Sequence, residues 1–247
     1  AFATGLARAI RRLQADSNLA GPSARGRALR VAGQCVSKAI ETDLSVPGPK
    51  DLHRCLRQPS LLLALTEVVR DNDAGSGAQR AAASALVTFC EGSPSLWKEL
   101  AKEIRSNSKL LQGFLAQASS LASITDHRTQ ELAFEAVYRM WKVWKKQEGG
   151  PPALPAATQS EIREGLSSIS TTDFESQIRS MLASVNTRGG EGDDNGSCFG
   201  LPLSLPVEAV WQVTEWEGLG CERHLGDAKW LDLGGDSISI QVRSRSA

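Results

Sequence analysis

From residue 1 to about residue 147, apolar side chains recur at spacings of three and four. Leu6, Ile10 and Leu13 share one face, as do Leu29, Ala32, Val36 and Ile40, and then Ala82, Ala85, Leu86 and Phe89. The pattern continues through Leu96, Leu100 and Ile104; Leu111, Phe114, Leu115 and Ala118; and Ala133, Val137, Met140 and Trp144. Such spacing lays a stripe along one side of an α-helix. The stripes are separated by AGPSARG (20–26), VPGPKD (46–51), DNDAGSG (71–77) and EGSPS (91–95), rich in the residues that end helices and make turns. Helices of about three to five turns joined by short polar loops predict a helical-repeat stack. No fixed-period repeat stands out, as in a degenerate armadillo or HEAT-like array; a compact helical bundle is the other arrangement the pattern allows. The small residues of SGAQRAAASALVTFC suit close approach between neighbouring helices.

At EGGPPALPAATQS (148–160) the helical period stops and Pro, Gly and Ala take over, which predicts an inter-domain connection. One more amphipathic helix is predicted at 171–186, with Thr and Asp as cap candidates and Phe174, Ile178, Met181, Leu182 and Val185 on its buried face. After the acidic glycine loop TRGGEGDDNGS (187–197), short strands are predicted at 197–201, 207–213, 229–233 and 237–243, with Trp211, Trp216 and Trp230 as core fillers. The expected organisation is an armadillo-repeat-like domain at 1–150, a linker at 151–170 and a small second module at 171–247, giving an α+β chain. Its last stretch, KWLDLGGDSISIQV, has two readings. LGGDS resembles a phosphopantetheine attachment site with Ser237 as the modified serine, which would begin a helix. Against this, Ile238, Ile240 and Val242 alternate with Ser239, Gln241 and Arg243, and Gly234-Gly235 suits a tight turn, so the pattern favours a β-hairpin.

Composition adds an asymmetry. The 247 residues are 41% apolar and 23% charged with zero net charge, ordinary for one large domain or two smaller ones. Residues 1–150 hold 21 Lys+Arg against 14 Asp+Glu, whereas residues 151–247 hold 7 against 14. The basic part suits acidic partners or nucleic acid, and the acidic part suits basic histone segments. Within the basic part, Arg8, Arg11 and Arg12, and then Arg25, Arg27 and Arg30, put a positive stripe on helical faces and are candidate partner-binding residues. Trp141 and Trp144 are the other candidates, as walls of a peptide groove; packing of the last helix is the alternative reading. Cys35, Cys55, Cys90, Cys198 and Cys221 are scattered and odd in number, which fits a reducing compartment. The longest apolar run, LLLALTEVV from Leu61, is too short for a membrane span, and a chain beginning with Ala reads as part of something longer.

No chemistry is signalled. His53, His127 and His224 are far apart, and neither H-E-x-x-H nor G-x-S-x-G occurs. His53 with Cys55 lacks the two further ligands of a tetrahedral zinc site. The loop GEGDDNG presents carboxylates where a phosphate cradle needs N–H groups and positive charge. No catalytic, cofactor-binding or metal-ligating residue is therefore expected, and no small-molecule substrate.

In order and spacing, ELAFEAVYRMW, DFESQIRSMLASVN, CFGLPLSLP and KWLDLGGDSISIQV are together similar to the N-terminal region of the synaptonemal complex protein 2 family, closely from about residue 130 and only architecturally before it. Phe174, Phe199, Pro202, Trp230, Asp232, Ser237 and Ser239 stand at matching places. The Pro-rich linker, the acidic glycine loop and Gly234-Gly235 depart from the family pattern. The resemblance implies an armadillo-repeat-like domain followed by an Spt16M-like, pleckstrin-homology-type β domain. It also implies a non-catalytic component of the meiotic chromosome axis, the lateral element, in the nucleus. Its implied partners are axis, centromere or chromatin proteins, with DNA and histones as further candidates. An armadillo-type adaptor outside meiosis and a carrier segment modified at Ser237 are the rival expectations.

Overall fold

The predicted stripes become ten α-helices in a computed structural model that describes residues 2–15, 21–47 and 50–188. Beyond these it gives the backbone alone at 204–206, 210–213, 222–226, 228–233 and 238–242; side chains at 21–23, 187 and 188 are not described. The helices are α1 Phe2–Ala15, α2 Gly21–Ser45, α3 Asp51–Leu56, α4 Pro59–Val69, α5 Ser76–Phe89, α6 Pro94–Ser106, α7 Ser108–Ser119, α8 His127–Lys145, α9 Ser160–Ser168 and α10 Phe174–Arg188. Starts follow local chemistry. Pro59 and Pro94 open α4 and α6, where a missing N–H costs nothing. Asn107 and Asp126 cap α7 and α8 by accepting from Leu110 N at 3.0 Å and Thr129 N at 2.8 Å.

Packing makes a stack. Helix α2 lies on α5 and α5 on α8, while α1 lies on α4 and α4 on α7. In chain order α3–α5 and then α6–α8 form successive groups of three helices, the second packed all three against one another, and α9 with α10 closes the end against α8. The repeat absent from the sequence is present in the bonds between units. Arg25 meets Asp71, Arg57 meets Glu103 and Arg80 meets Asp126, each pair 46 residues apart. Gln79 and Gln130, each in the first turn of its helix, donate to carbonyls of the preceding turn, at Val69 in one unit and Leu121 and Ile124 in the next. Helix α4 is buried at Leu61, Leu62, Ala64, Leu65, Val68 and Val69, which is why its run shows no amphipathic stripe.

Glycine sets the α2–α5 separation. A Cβ on Gly33 would lie 2.8 Å from the Ala81 carbonyl carbon, and one on Gly26 would lie 2.7 Å from Ala74 O. Within the stretch 20–26, expected as a break, residues 21–26 instead start α2, and Gly26 serves close packing, not chain reversal. Gly33→Val is expected to lower stability by about 1–3 kcal/mol through overpacking against backbone that cannot swing away. Gly5→Ala, with nothing within 4 Å of the added carbon, is expected to raise it by about 0.5–1 kcal/mol through helix propensity. Thermal melts of the two variants check the opposite signs.

The range expected as linker contains α9, whose Ile162 and Leu166 are buried. Ile178, Met181, Leu182 and Val185 of α10, assigned from the sequence to a second module, belong to the same buried core as α4, α5, α7 and α8. Gln130 on α8 and Asn186 on α10 exchange hydrogen bonds at 2.9 and 3.1 Å.

The expected α+β class, with a pleckstrin-homology-like (Spt16M-like) β domain after the repeats, is corrected: the protein is helical, and no β domain is seen among the residues whose side chains are described. Backbone segments at Ser204–Pro206, Ala228–Leu233 and Ile238–Val242 pair antiparallel, and Val210–Val213 pairs separately with Glu222–Gly226. Alternation at period two reports local extended backbone. A β domain needs more, namely a sheet face packed on a core of its own, and none is seen among the residues whose side chains are described. The strand expected at 197–201, the turn at Gly234-Gly235, and Ser237 lie outside the described residues.

Candidate peptide-binding groove

Helix α8 carries two faces. Ala133, Val137, Met140 and Trp144 turn into the core, while Glu135, Arg139, Lys142 and Lys146 follow the opposite face at helical spacing. Along that second face, between the starts of α6 and α10, runs a groove of about 650 Å³. Its apolar lining comes from Trp97 on α6, Tyr138 and Val143 on α8, and Phe174 on α10. The aromatic wall is fixed in place. Tyr138 and Phe174 lie 5.0 Å apart, Phe134 backs both rings at 5.9 and 6.4 Å, and the Tyr138 hydroxyl donates to Ile169 O at 2.6 Å.

The rim is basic. Lys98, Arg139, Lys142 and Lys146 line the groove together with one carboxylate, Glu135. Arg139 is held by Glu135 at 2.6 Å. The Lys142 ammonium sits 5.1 Å above the Tyr138 ring, a cation–π contact. Among the described residues, Lys98, Lys142 and Lys146 form no ion pair. Burial pushes the nearby Glu91 carboxyl above its ordinary value, with Arg139 opposing that rise.

Cys90, at the end of α5, borders the groove but is only 1% exposed. Burial pushes its thiol up to about 12, and its S–H points to Ala136 O at 3.9 Å. With no thiolate at neutral pH it is a packing residue, not a nucleophile. Iodoacetamide at mildly alkaline pH is expected to modify exposed Cys35 and Cys55 in the folded chain, and Cys90 only after unfolding; peptide mapping by mass spectrometry reads this directly.

Of the residues singled out in the sequence, Arg8, Arg11 and Arg12 lie exposed on α1, and Arg27 and Arg30 lie exposed on α2. Arg11 pairs with Glu67 at 3.2 Å. Arg25 is half-buried against Asp71 at 2.5 Å, joining two helical units. Trp141 and Trp144 require correction as groove walls. Trp144 is fully enclosed, donates its Nε1 hydrogen to Ala101 O at 3.1 Å and meets the Phe114 edge, while Trp141 is 7% exposed. Both are core residues. The structure instead brings together Trp97, Tyr138 and Phe174 with Lys98, Lys142 and Lys146, a constellation spread over three helices. Only its α8 part, within YRMWKVWKK, is contiguous in the sequence.

A second polar cluster, at the α8–α10 contact, is sealed. Glu131 accepts from Arg179 at 3.1 Å, lies 3.2 Å from His127 Nε2 and meets Arg128 at 2.9 Å, with Glu131, His127 and Arg179 all under 5% exposed. Burial pushes the Glu131 carboxyl up, but the bonds to His127, Arg179 and Arg128 outweigh it and hold it below its ordinary value. With no access for a substrate, the cluster ties α10 to the stack. Among the described residues, no group of three or more His, Cys, Asp or Glu is arranged to hold a metal, and no helix is long and apolar enough to cross a membrane. Comparison with protein-family models, curated proteins and solved structures finds no match to this chain.

Proposed function

We propose that this chain is a non-catalytic interaction module of a meiotic chromosome axis protein, holding axis or centromere protein partners against its helical stack. The observation that carries the interaction role is the open apolar groove on α8, built by three helices and rimmed by lysines that form no ion pair among the described residues. Stacked helical units suit such a role, because each added unit extends one continuous binding surface. The assignment to the meiotic axis, in the nucleus, rests on the similarity of order and spacing from about residue 130 onward to the synaptonemal complex protein 2 family. The exposed arginines of α1 and α2 support DNA or histone-associated acidic surfaces as further partners.

A fluorescently tagged full chain expressed in meiotic cells is expected to form linear signals along chromosome axes. Diffuse signal through the nucleus or cytoplasm would remove the axis assignment. Salt-sensitive binding of the purified chain to nucleosomes tests the chromatin arm, and binding indifferent to salt would remove it.

A further inference from the structure

We infer that the groove on α8 is the docking site for an acidic protein segment carrying one bulky apolar side chain, an inference that rests on the interaction role proposed above. The groove has two chemically distinct parts. Its interior, of about 650 Å³, is lined by Trp97, Tyr138, Val143 and Phe174, and that volume accommodates a large aliphatic or aromatic side chain with adjoining backbone. Around it stand Lys98, Lys142 and Lys146, drawn from two helices.

The two parts specify the occupant. An apolar interior with fixed rings contributes affinity only when an apolar group displaces its water. Three lysines without carboxylate partners among the described residues supply the complementary potential for Asp and Glu flanking that group. Arg139 is already compensated by Glu135, which leaves the three lysines as the rim's unpaired charge among the described residues. Lys142 lies over the Tyr138 ring, so an incoming carboxylate has a donor already positioned at the mouth. A nucleic acid fits less well, because a phosphodiester strand offers the lysines charge but offers the apolar interior no side chain. The rings here are committed to wall packing, with Tyr138 only 3% exposed, and do not form an open stacking platform.

Selection of short random peptides displayed on phage, using the full 247-residue chain as bait, tests the inference. Recovered peptides are expected to combine several Asp or Glu with a Phe, Trp or Leu. A fluorescein-labelled synthetic copy of the most enriched peptide is expected to lose about tenfold in affinity on K142E/K146E, as two rim attractions become repulsions. Lys98→Glu, from the exposed face of a different helix, is expected to weaken it by a smaller factor. Thermal melts matching the parent show that these variants remain folded. Recovery of peptides without acidic residues overturns the inference, as does binding unchanged in both variants. Displacement of the peptide by a DNA duplex assigns the groove to nucleic acid and overturns it too. So does a concentration-dependent dimer, seen by gel filtration and lost in K142E/K146E, because it assigns the groove to a second copy. Peptide selection reads only groove chemistry and imaging reads only axis membership. Failure of the first with axis signals intact therefore removes the docking inference alone, and the reverse result removes the axis assignment alone.

Discussion

Asp126→Ala is expected to lower the unfolding free energy by about 3–5 kcal/mol, the cost of removing one partner from a buried ion pair. Asp126 is fully buried and satisfies several donors at once. It caps α8 by accepting from Thr129 N at 2.8 Å, takes the Thr129 hydroxyl at 2.5 Å, and receives Arg80 on both oxygens at 2.5 and 3.1 Å. The lost cap alone accounts for about 1 kcal/mol. The remainder comes from the lost Asp126–Arg80 ion pair; because Arg80 is about one-third exposed and water reaches it, the lower end of the range is expected. Urea denaturation of the variant and of Arg80→Ala, compared with the double variant, isolates the pair; a coupling energy near zero would show that the ion pair is incidental. The same site predicts acid sensitivity. Burial alone would raise the Asp126 carboxyl, but its bonds to Arg80 and Thr129 win and hold it below the ordinary 3.8. A carboxyl whose folded pKa lies below its unfolded one contributes stability that is fully present above the unfolded value. That stability is lost as pH falls through the folded value. Glu131, held below 4.5, acts in the same direction. Melting temperature is therefore expected to drop as pH falls below about 4.5, and less steeply in Asp126→Asn than in the parent.

Trp144→Ala is expected to cost about 3–5 kcal/mol, as for a fully buried aromatic side chain. Its indole has no exposed surface, meets the Phe114 ring edge-on at 6.3 Å and 84°, and supplies the hydrogen for Ala101 O at 3.1 Å. Removal leaves a cavity between α6, α7 and α8 and a carbonyl without its donor. Trp144→Phe refills most of the space but not the hydrogen bond, so a loss of about 1–3 kcal/mol is expected. Lys146→Ala, two residues further on at the C-cap of α8 and exposed, is expected to change stability by less than about 0.5 kcal/mol. Denaturant midpoints for the three variants give the ordering. A Trp144→Ala loss below about 1 kcal/mol would overturn the core assignment of Trp144.

The pattern of apolar positions carried the helical body well. Stripes at Leu96, Leu100 and Ile104 and at Ala133, Val137, Met140 and Trp144 became α6 and α8, with those side chains buried. The pattern failed where burial is not one-sided. Helix α4 is enclosed nearly all round and shows a run, not a stripe. Glycine and proline misled twice. Gly26 is in α2 because a neighbouring backbone approaches it, and the Pro-rich stretch before 160 precedes α9 without separating the chain that follows from the core.

Sequence by itself determined the stripes of α1, α2, α5, α6, α7, α8 and α10, that Phe174, Ile178, Met181, Leu182 and Val185 form one face, and that the first 150 residues are basic. It did so because helix period and charge are local properties, read within a few residues of one another. Tertiary structure alone decided that α10 belongs to the helical core, that Arg25 and Arg80 join successive units to Asp71 and Asp126, and that Trp144 is core. It alone placed Trp97, Tyr138 and Phe174 around one groove ringed by Lys98, Lys142 and Lys146. Those facts depend on which face of one helix meets another far along the chain, a choice made by packing across about 45 residues that no local window contains.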